Sequence, residues 1–256
     1  MIDGLYTSGS SMLARTTRQD VIANNIANSD VSGFKRDGVF LREFGEARRK
    51  ASGGYPVWRP DRIAGAYIDF EQGSLRQTNS PRHMAIKGPG FFWVRTPQGD
   101  MYTRNGEFSV NRNGVLMTNL GNPVLDEGGR EIRLEGSDFM VNDRGEILEN
   151  GQVKAKIAIH DFEKDEDGYY QDPDGVSRLE RKQNGFYIPK PGINRAPVGS
   201  NTHVIQGFLE ESNVNPILQM VEMVELYRTY EADQRVIRAQ DDTLKRSVNE
   251  VGNIRT

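Results

Sequence analysis

The stretch "NNIANSDVSGFK", residues 24–35, marks the point at which the helical sequence pattern of the N-terminal segment ends. Upstream, from Asp3, a residue type favoured at helix N-caps, to about Asn28, no proline interrupts the sequence. Apolar or small residues recur there at helical spacings: Ile2, Leu5, Gly9, Met12, Thr16, Ala23 and Ile26. This pattern predicts an N-terminal helix. Because several of these residues are small or polar, the helix would pack closely on a partner but be only marginally stable alone in water.

The C-terminal region carries a stronger helical pattern. Asn215 and Pro216 are residue types preferred at the N-cap and at the first helical position. Spacings of three and four then alternate without a break through Met220, Met223, Tyr227, Tyr230, Gln234, Ile237, Asp241, Leu244, Val248 and Val251. The pattern predicts a coiled-coil seam, with polar Gln234 and Asp241 able to fix its register, on a helix about 53 Å long. The alternative is a long amphipathic helix folded onto the core of its own chain.

The middle of the chain predicts β structure. Turn dipeptides recur along it, among them Asn113-Gly114, Asn150-Gly151 and Asn184-Gly185, and the segments between them are rich in β-branched and aromatic residues. The connections are too short for helical crossovers, so the sheet should be largely antiparallel. We predict a mixed, elongated molecule: helix 1–30, an extended arm or hairpin 31–70, an all-β domain 71–206, and a coiled-coil helix 207–256.

Composition limits the function. The 256 residues are 36% hydrophobic and 27% charged, with a formal net charge of −3 and no cysteine. The nearly balanced charge argues against a nucleic-acid-binding surface, and the polar composition argues against membrane insertion. Without cysteine, the chain can form neither disulfides nor thiolate metal sites. The start of the chain lacks a cleaved secretion signal, so we expect a protein that stays in the cytoplasm or leaves by a route that reads no such signal.

No motif supports catalysis or a cofactor. Gly88-Pro89-Gly90 precedes a strand-like segment, which favours a turn over a phosphate loop. The acidic stretch 165–174 lacks the spacing of an EF-hand and favours a solvated hairpin end over a calcium site. His83, His160 and His203 have no paired spacing for zinc. We therefore expect no catalytic residue, metal or cofactor.

Three blocks resemble the bacterial flagellar rod and hook protein family. "DVIANNIANSDVSGFKRD", residues 20–37, is similar to its N-terminal signature. Residues 72–94, "QGSLRQTNSPRHMAIKGPGFFWV", continued by residues 102–125, are similar to its central block. Residues 207–237, "GFLEESNVNPILQMVEMVELYRTYEADQRVI", resemble its C-terminal block. The three blocks cover both ends and the middle of the chain in order.

The resemblance is closest to rod subunits. His83-Met84 stands where the family usually has an acidic residue, and the loop after Asn28 reads Ser-Asp-Val-Ser where Thr-Pro or Thr-x is commoner. A single β domain, without the added outer domains of hook protein, implies a rod subunit. Because residues 38–70 are short for the arm of a distal rod protein, we favour the proximal rod, with the distal rod or a hook-like axial protein as the alternative.

The resemblance implies that the terminal helices pair and pack against those of neighbouring subunits to form the inner tube of a helical filament that transmits torque, with the β domain facing outward. Ala23 and Ala27 would admit a neighbouring backbone, Asn24 and Asn25 would satisfy backbone groups at the helix end, and a left-handed Asn28 would stop the helix, with an ordinary helix end and no partner as the alternative. Gly33 would turn the chain and Phe34 would anchor it. The expected assembly interface is Leu5, Met12, Ala23, Asn24, Asn25, Ile26, Ala27, Asn28, Gly33, Phe34, Met220, Met223, Tyr227, Tyr230, Ile237, Leu244 and Val248.

The resemblance also implies partners and a location. The partners would be copies of the chain, other flagellar axial proteins and the flagellar type III export apparatus. The protein would be located in the periplasmic rod of the basal body and would reach it without a cleaved signal peptide. We expect residues 1 to about 30 and 208–256 to be largely disordered in the monomer and to fold on assembly. Two alternatives remain: an enzyme that remodels peptidoglycan through paired carboxylates, and a β-rich adhesin or carbohydrate-binding module with a coiled-coil stalk.

Overall fold

The computed structural model describes residues 2–42, 62–136, 139–165, 169–172, 177–199 and 201–252, with side chains outside 2–11, 40–42, 62–65 and 247–252. The chain divides into two compact units. The helical unit is made from the described parts of residues 1–27, 37–67 and 215–256, and the β unit from those of residues 28–36 and 68–214.

The helical unit holds helices α1 (Ile2–Ala27) and α2 (Pro216–Gly252), with strands β1 (Asp37–Arg42) and β2 (Arg62–Ile68) paired in a two-stranded sheet. The start of α2 follows its sequence: the Asn215 side chain accepts hydrogen bonds from the backbone nitrogens of Ile217 and Leu218 at 3.1 and 3.2 Å. This side-chain cap satisfies amides that have no partner inside the helix. At 37 residues, α2 is about 55 Å long.

The two helices run antiparallel, because Asn25 pairs with Gln219 and Arg15 pairs with Asp233. The covered face of α2 shares Met223, Tyr230, Ile237 and Leu244 with the predicted seam, but Met220 and Tyr227 are 53% and 56% exposed. The less exposed positions instead follow Gln219, Met223, Leu226, Tyr230, Asp233, Ile237, Gln240 and Leu244. Polar pairs to α1 place Gln219 and Asp233 on the covered face, and periodicity in one helix alone could not show this.

In α1, Thr16 and Ala23, which the sequence assigns to a seam that packs on a partner, are exposed in this chain, whereas Ile22 is 3% exposed. One prediction for α1 is wrong. Asn28 is not left-handed: the non-glycine residues with positive φ in the described chain are Asn79, Asn150 and Asn184. The backbone nitrogen of Val31 instead donates to the Asn28 carbonyl at 3.2 Å, so a turn follows the helix and the positive φ falls later, on Gly33.

The β unit is built from short strands, and the strand pairs among its described residues are antiparallel, as the sequence predicts. The strands are β3 (Leu75–Gln77), β4 (Met84–Lys87), β5 (Phe91–Thr96), β6 (Gly99–Thr103), β7 (Phe108–Val110), β8 (Leu116–Thr118), β9 (Met140–Val141), β10 (Glu146–Glu149), β11 (Gln152–Lys156), β12 (Ile159–Phe162), β13 (Leu179–Arg181), β14 (Phe186–Pro189), β15 (Arg195–Ala196), β16 (His203–Gln206) and β17 (Phe208–Glu210). The main sheet has the order β13-β14-β6-β5-β12-β15, and smaller sheets pair β11-β10-β9, β16-β4, β17-β3 and β7-β8.

The segment "FFWVRT" explains why the core of the β unit has two parts. Side chains alternate between the faces of a strand, and both faces of β5 are buried. Phe92 and Val94 belong to one hydrophobic cluster, whereas Phe91 and Trp93 belong to another. The main sheet is therefore covered by apolar side chains on both sides.

The turn between β10 and β11 shows how a local sequence determines a hairpin in the β unit. Asn150 and Gly151 both have positive φ, 52° and 77°. That combination defines the two-residue turn whose twist matches paired antiparallel strands, and Asn-Gly is its preferred sequence. The dipeptide thus fixes the β10–β11 hairpin, as the sequence predicts.

Candidate assembly interface

Asn25 joins three segments of the helical unit. Its Nδ2 donates to the Asp37 carbonyl at 2.8 Å and to Oε1 of Gln219 at 3.1 Å, while its Oδ1 accepts from the Asp37 backbone nitrogen at 2.9 Å. The residue is 1% exposed and Gln219 is 5% exposed. Asn24 adds a more exposed bond to Oδ2 of Asp37 at 3.0 Å. The two asparagines therefore bind β1, and Asn25 also binds α2.

α2 carries a second apolar surface that the described chain leaves uncovered. Six large apolar residues in its first three turns are between 51% and 71% exposed: Ile217, Leu218, Met220, Val221, Val224 and Tyr227. We call this set the α2 stripe. Ile217, Val221 and Val224 lie on the side of the helix opposite the face covered within the chain, since residues three and four apart share a face. Exposed apolar patches of this kind are typical of protein interaction sites.

The β unit contains a buried ionic cluster formed by Lys35, Arg104 and Glu210. Nζ of Lys35 lies 2.5 Å from Oε1 of Glu210, and Nη1 of Arg104 lies 3.2 Å from Oε2. The Lys35 and Glu210 side chains are fully buried and that of Arg104 is 4% exposed. Burial lowers the pKa of Lys35, an effect that the nearby Glu210 carboxylate opposes. Every charge in the cluster has an opposite partner, which a buried charge requires.

The cluster holds together the two segments that adjoin the helices in sequence. The Gly33 nitrogen donates to the Glu210 carbonyl at 2.7 Å, and the Arg36 nitrogen donates to Oδ1 of Asn213 at 2.7 Å. The Gly33–Arg36 segment and the end of β17 are thus held side by side within the β unit. This pairing joins residues about 175 positions apart.

Gly33 and Phe34 occupy tightly packed positions in the β unit. Gly33 has a φ of +71°, and a Cβ there would lie 2.5 Å from the Arg104 carbonyl carbon, so the position requires glycine. Phe34 is 5% exposed, and the Arg181 guanidinium stacks on its ring at 4.3 Å from the centroid. The turn and the anchor thus lie where the sequence places them, though their partners are in the β unit.

The expected interface residues fall into separate environments. Asn25, Gly33 and Phe34 are buried; Met12, Ile26, Asn28, Met223, Tyr230, Ile237 and Leu244 are half-buried; Ala23, Asn24, Ala27, Met220 and Tyr227 are exposed. The side chains of Leu5 and Val248 lie outside the described part. Sequence reasoning missed Gln219, Asp37 and Ile22, and also the Ile217, Leu218, Val221 and Val224 members of the stripe. The spacing of Ile217, Val221 and Val224 could have indicated the stripe.

The titratable side chains of the described residues bear on whether the chain can bind a metal or catalyse a reaction. No cluster of three or more potential metal ligands occurs among them, and the expected acidic stretch 165–174 lies partly outside the described residues. Two buried carboxylates already accept hydrogen bonds within the chain. Glu149 accepts from two backbone nitrogens, and Asp161 accepts from the Tyr170 hydroxyl. Burial, and then the charge of Arg195, lower the pKa of His160 to about 4. None of the described helices is long and apolar enough to cross a membrane.

Family models match the chain at both ends and in the middle. They are the flagella basal body rod protein over residues 5–35, the flagellar hook protein FlgE/F/G D1 domain over residues 85–155, and the flagellar basal body rod FlgEFG protein C-terminal over residues 205–250. The matches follow the order of the three sequence blocks.

Curated relatives match over nearly their whole length. The flagellar basal-body rod protein FlgF of Mesorhizobium japonicum is 31% identical over 261 residues, 99% of each chain. FlgF of Rhizobium meliloti is 32% identical over 263 residues and the full length of both chains. The flagellar basal-body rod protein FlgG of Buchnera aphidicola subsp. Schizaphis graminum is 28% identical over 96% of this chain and 98% of its own. The chain therefore belongs to the flagellar basal-body rod protein family and is a structural subunit of the rod.

Proposed function

We propose that this chain is a proximal rod subunit whose paired terminal helices pack with those of neighbouring subunits into a helical tube that transmits torque from motor to hook. Full-length similarity to proteins named FlgF supports the proximal position. The observation that carries the assembly role is the α2 stripe, six large apolar side chains more than half exposed on one helix. We further propose that the chain has no enzymatic activity.

The helix pair is suited to ordering during assembly. Its two helices are tied by a few polar contacts, including Asn25–Gln219 and an Arg15–Asp233 ion pair of 2.9 Å whose side chains are 30% and 23% exposed. Partly exposed ion pairs contribute little stability. Covering the stripe would bury apolar surface at about 25 cal/mol per Å² and offset the entropy of ordering both helices. In the assembled rod we propose coiled-coil packing of these helices.

The route and location follow from the same proposal. The subunit would pass unfolded through the flagellar type III export apparatus, without cleavage of a signal peptide, and join other axial proteins in the periplasmic part of the rod. Marginal terminal helices and the lack of disulfides are compatible with that route, because the chain must unfold to pass a narrow channel.

Incorporation into basal bodies tests the proposal. An epitope-tagged chain would be expressed in a flagellated bacterium lacking its own proximal rod protein of this type, and basal bodies would be isolated and probed by immunoelectron microscopy. We expect label on the proximal rod and restored swimming. The double variant Val221→Asp/Val224→Asp should abolish both, because it places charge in the stripe.

Val236→Asp is the matched control, since Val236 is 48% exposed on the same helix but outside the stripe. It should assemble normally. Label on the distal rod would reassign the position, and absence of the unmodified chain from basal bodies would refute the proposal.

A further inference from the structure

The described methionines differ widely in exposure. Met140 is 73% exposed and Met220 is 53% exposed, whereas Met84 and Met101 are 0% and 3% exposed. The other methionines with described side chains are half-buried: Met12, Met117 and Met223. Two methionine side chains in this part of the chain are therefore mostly open to solvent, and one of them, Met220, belongs to the α2 stripe.

Methionine supplies the only sulfur in the chain, which has no cysteine. Hydrogen peroxide oxidises such a thioether to a sulfoxide. A sulfur lone pair forms a bond to one peroxide oxygen, the O–O bond breaks, and the other oxygen leaves as water. The sulfur loses two electrons and the peroxide gains them. Because peroxide must reach the sulfur from solvent, exposed methionines react before buried ones.

We propose that Met220 is an oxidation site and that its conversion to the sulfoxide blocks assembly through the α2 stripe. The inference rests on the proposed function, because it requires the stripe to be covered by another subunit. It adds a chemical modification that decides whether this surface can be covered.

The surroundings of Met220 explain why a sulfoxide there would oppose assembly. The side chains three and four positions away share its side of the helix, and none of them carries a hydrogen-bond donor: Pro216, Ile217, Met223 and Val224. A sulfoxide oxygen is a polar acceptor, and burying a polar group without a partner costs free energy. The oxidised stripe should therefore stay in water rather than enter an interface.

Two other methionines distinguish this effect from oxidation in general. Met140 is more exposed than Met220, but it lies on β9, where it pairs with Leu148 of β10, outside the stripe. Met223 lies on α2, three positions from Met220, but it is half-buried on the covered face of that helix. Oxidation of Met140 should leave assembly unchanged, and Met223 should react later than Met220.

The modification would act before assembly and not after it. Peroxide cannot reach a covered Met220, so subunits already in a polymer should be protected. Methionine sulfoxide is reduced back to the thioether by two stereospecific reductases, one for each sulfoxide epimer. Oxidation of Met220 is thus a reversible block on unassembled subunits.

Peptide mapping after brief peroxide treatment tests the site. The dilute full-length chain would be treated with hydrogen peroxide, digested, and analysed by mass spectrometry for the gain of one oxygen at each methionine. We expect Met140 and Met220 to react at least about fivefold faster than Met223. Met84 and Met101 should react slowest. Oxidation of Met223 as fast as Met220 would contradict the selectivity of the site.

The effect on assembly is measured with substituted chains. For each chain, sedimentation before and after oxidation gives the concentration needed for polymer formation, so that each variant is compared with its own untreated form. Oxidation should raise this concentration by roughly tenfold for the natural chain and for the matched control Met140→Leu. For Met220→Leu it should rise less than about twofold. Treatment with both sulfoxide reductases should restore the original value.

Oxidation of the preformed polymer tests the protection. With free methionine added as a reference, we expect Met220 to react at least about tenfold more slowly in the polymer than in the dilute chain. If the two rates are equal, the stripe is not covered, and both the inference and the assembly role of the stripe fail.

The remaining outcomes separate this inference from the proposed function. If Met220→Leu stays as sensitive to peroxide as the natural chain, or if a chain oxidised at Met220 assembles normally, the inference is wrong although the assembly role stands. If the untreated chain forms no polymer at any concentration, the inference fails because there is no self-assembly to block. The proposed function is then judged separately, by incorporation into basal bodies.

Discussion

Asn25 and Gln219 lie 194 positions apart in the sequence, yet Nδ2 of Asn25 donates to Oε1 of Gln219 at 3.1 Å in the interior of the helical unit. The pair connects the two ends of the chain through neutral side chains. Because Asn25 also makes two bonds to the Asp37 backbone, a sliding of either helix would leave buried polar groups without partners. One buried polar contact of this sort can fix the register of two helices.

Replacing Asn25 should loosen the helical unit. Asn25→Leu removes three hydrogen bonds, two with the Asp37 backbone and one with Oε1 of Gln219, so we expect a loss of about 2–4 kcal/mol in the free energy of unfolding. The measurement is urea unfolding of the assembled protein, in which both helices are ordered, followed by circular dichroism at a helical wavelength. Asn24→Ala, which removes one exposed bond, should cost less than about 1 kcal/mol. Equal effects would show that Asn25 has no special role.

Removing Glu210 should destabilise the β unit strongly. Glu210→Leu leaves Lys35 and Arg104 as buried positive charges without their carboxylate, so we expect a loss of about 3–5 kcal/mol. Tryptophan fluorescence during urea unfolding would report it. Glu211→Ala is the neighbouring control, because its pair with Arg76 is exposed and should contribute less than about 1 kcal/mol. A small effect at Glu210 would mean that the cluster relaxes or admits water.

Gly33→Ala should be far more costly than a change at another left-handed glycine. A Cβ at Gly33 would meet the Arg104 backbone at 2.5 Å, whereas Gly121, with a φ of +81°, has nothing within 4 Å. We expect about 2–4 kcal/mol for Gly33→Ala and about 1 kcal/mol for Gly121→Ala. Thermal unfolding of both variants separates crowding from the cost of the φ angle alone. Similar losses would indicate that the Arg104 backbone yields.

His160 should make the β unit less stable in mild acid. Its pKa is lowered from 6.5 to about 4, because burial and then Arg195 disfavour the charged ring. Between these pH values the unfolded chain takes up a proton that the folded chain does not, so stability falls as pH drops from 6.5 to 4 and is unaffected above. Since the ring is only partly buried, we expect about 1–2 kcal/mol.

The comparison of unfolding at pH 7 and pH 4.5 checks this expectation. His160→Gln should reduce the pH dependence in that window, and His203→Gln, on an exposed position of β16, should leave it unchanged. If His160→Gln follows the unmodified protein at both pH values, the ring does not control stability.

Amide exchange should show that the helices are ordered by assembly. In a dilute monomer we expect fast exchange along α1 and the second half of α2, and slow exchange in β5, whose first four residues are buried. Assembly should slow exchange in both helices, with little change in β5. Strong protection of α1 and α2 in the monomer would contradict ordering on assembly.

Much of the fold is predictable because it depends on local chemistry. Asn215-Pro216 starts α2 through one side-chain cap, and Asn150-Gly151 closes a hairpin through two positive φ angles. The alternation in "FFWVRT" gives a strand buried on both sides. Each feature depends on residues within a few positions of one another, so propensity and spacing identify it.

The candidate site was predictable only in part. Periodicity identified Met223, Tyr230, Ile237 and Leu244, which are half-buried, but it also placed exposed Met220 in the same seam. A helix with apolar residues on two sides offers two registers, and sequence spacing cannot show which one its own chain covers. The choice depends on polar partners in a distant segment.

The sequence alone determined that two terminal helices flank an antiparallel β region, since these elements follow from caps, turns and residue periodicity. Tertiary structure alone decided that Asn25 would bind Gln219, that Lys35 would share Glu210 with Arg104, and that one face of α2 would stay exposed. These contacts join residues far apart in the chain, and their energies depend on burial, which no local pattern specifies.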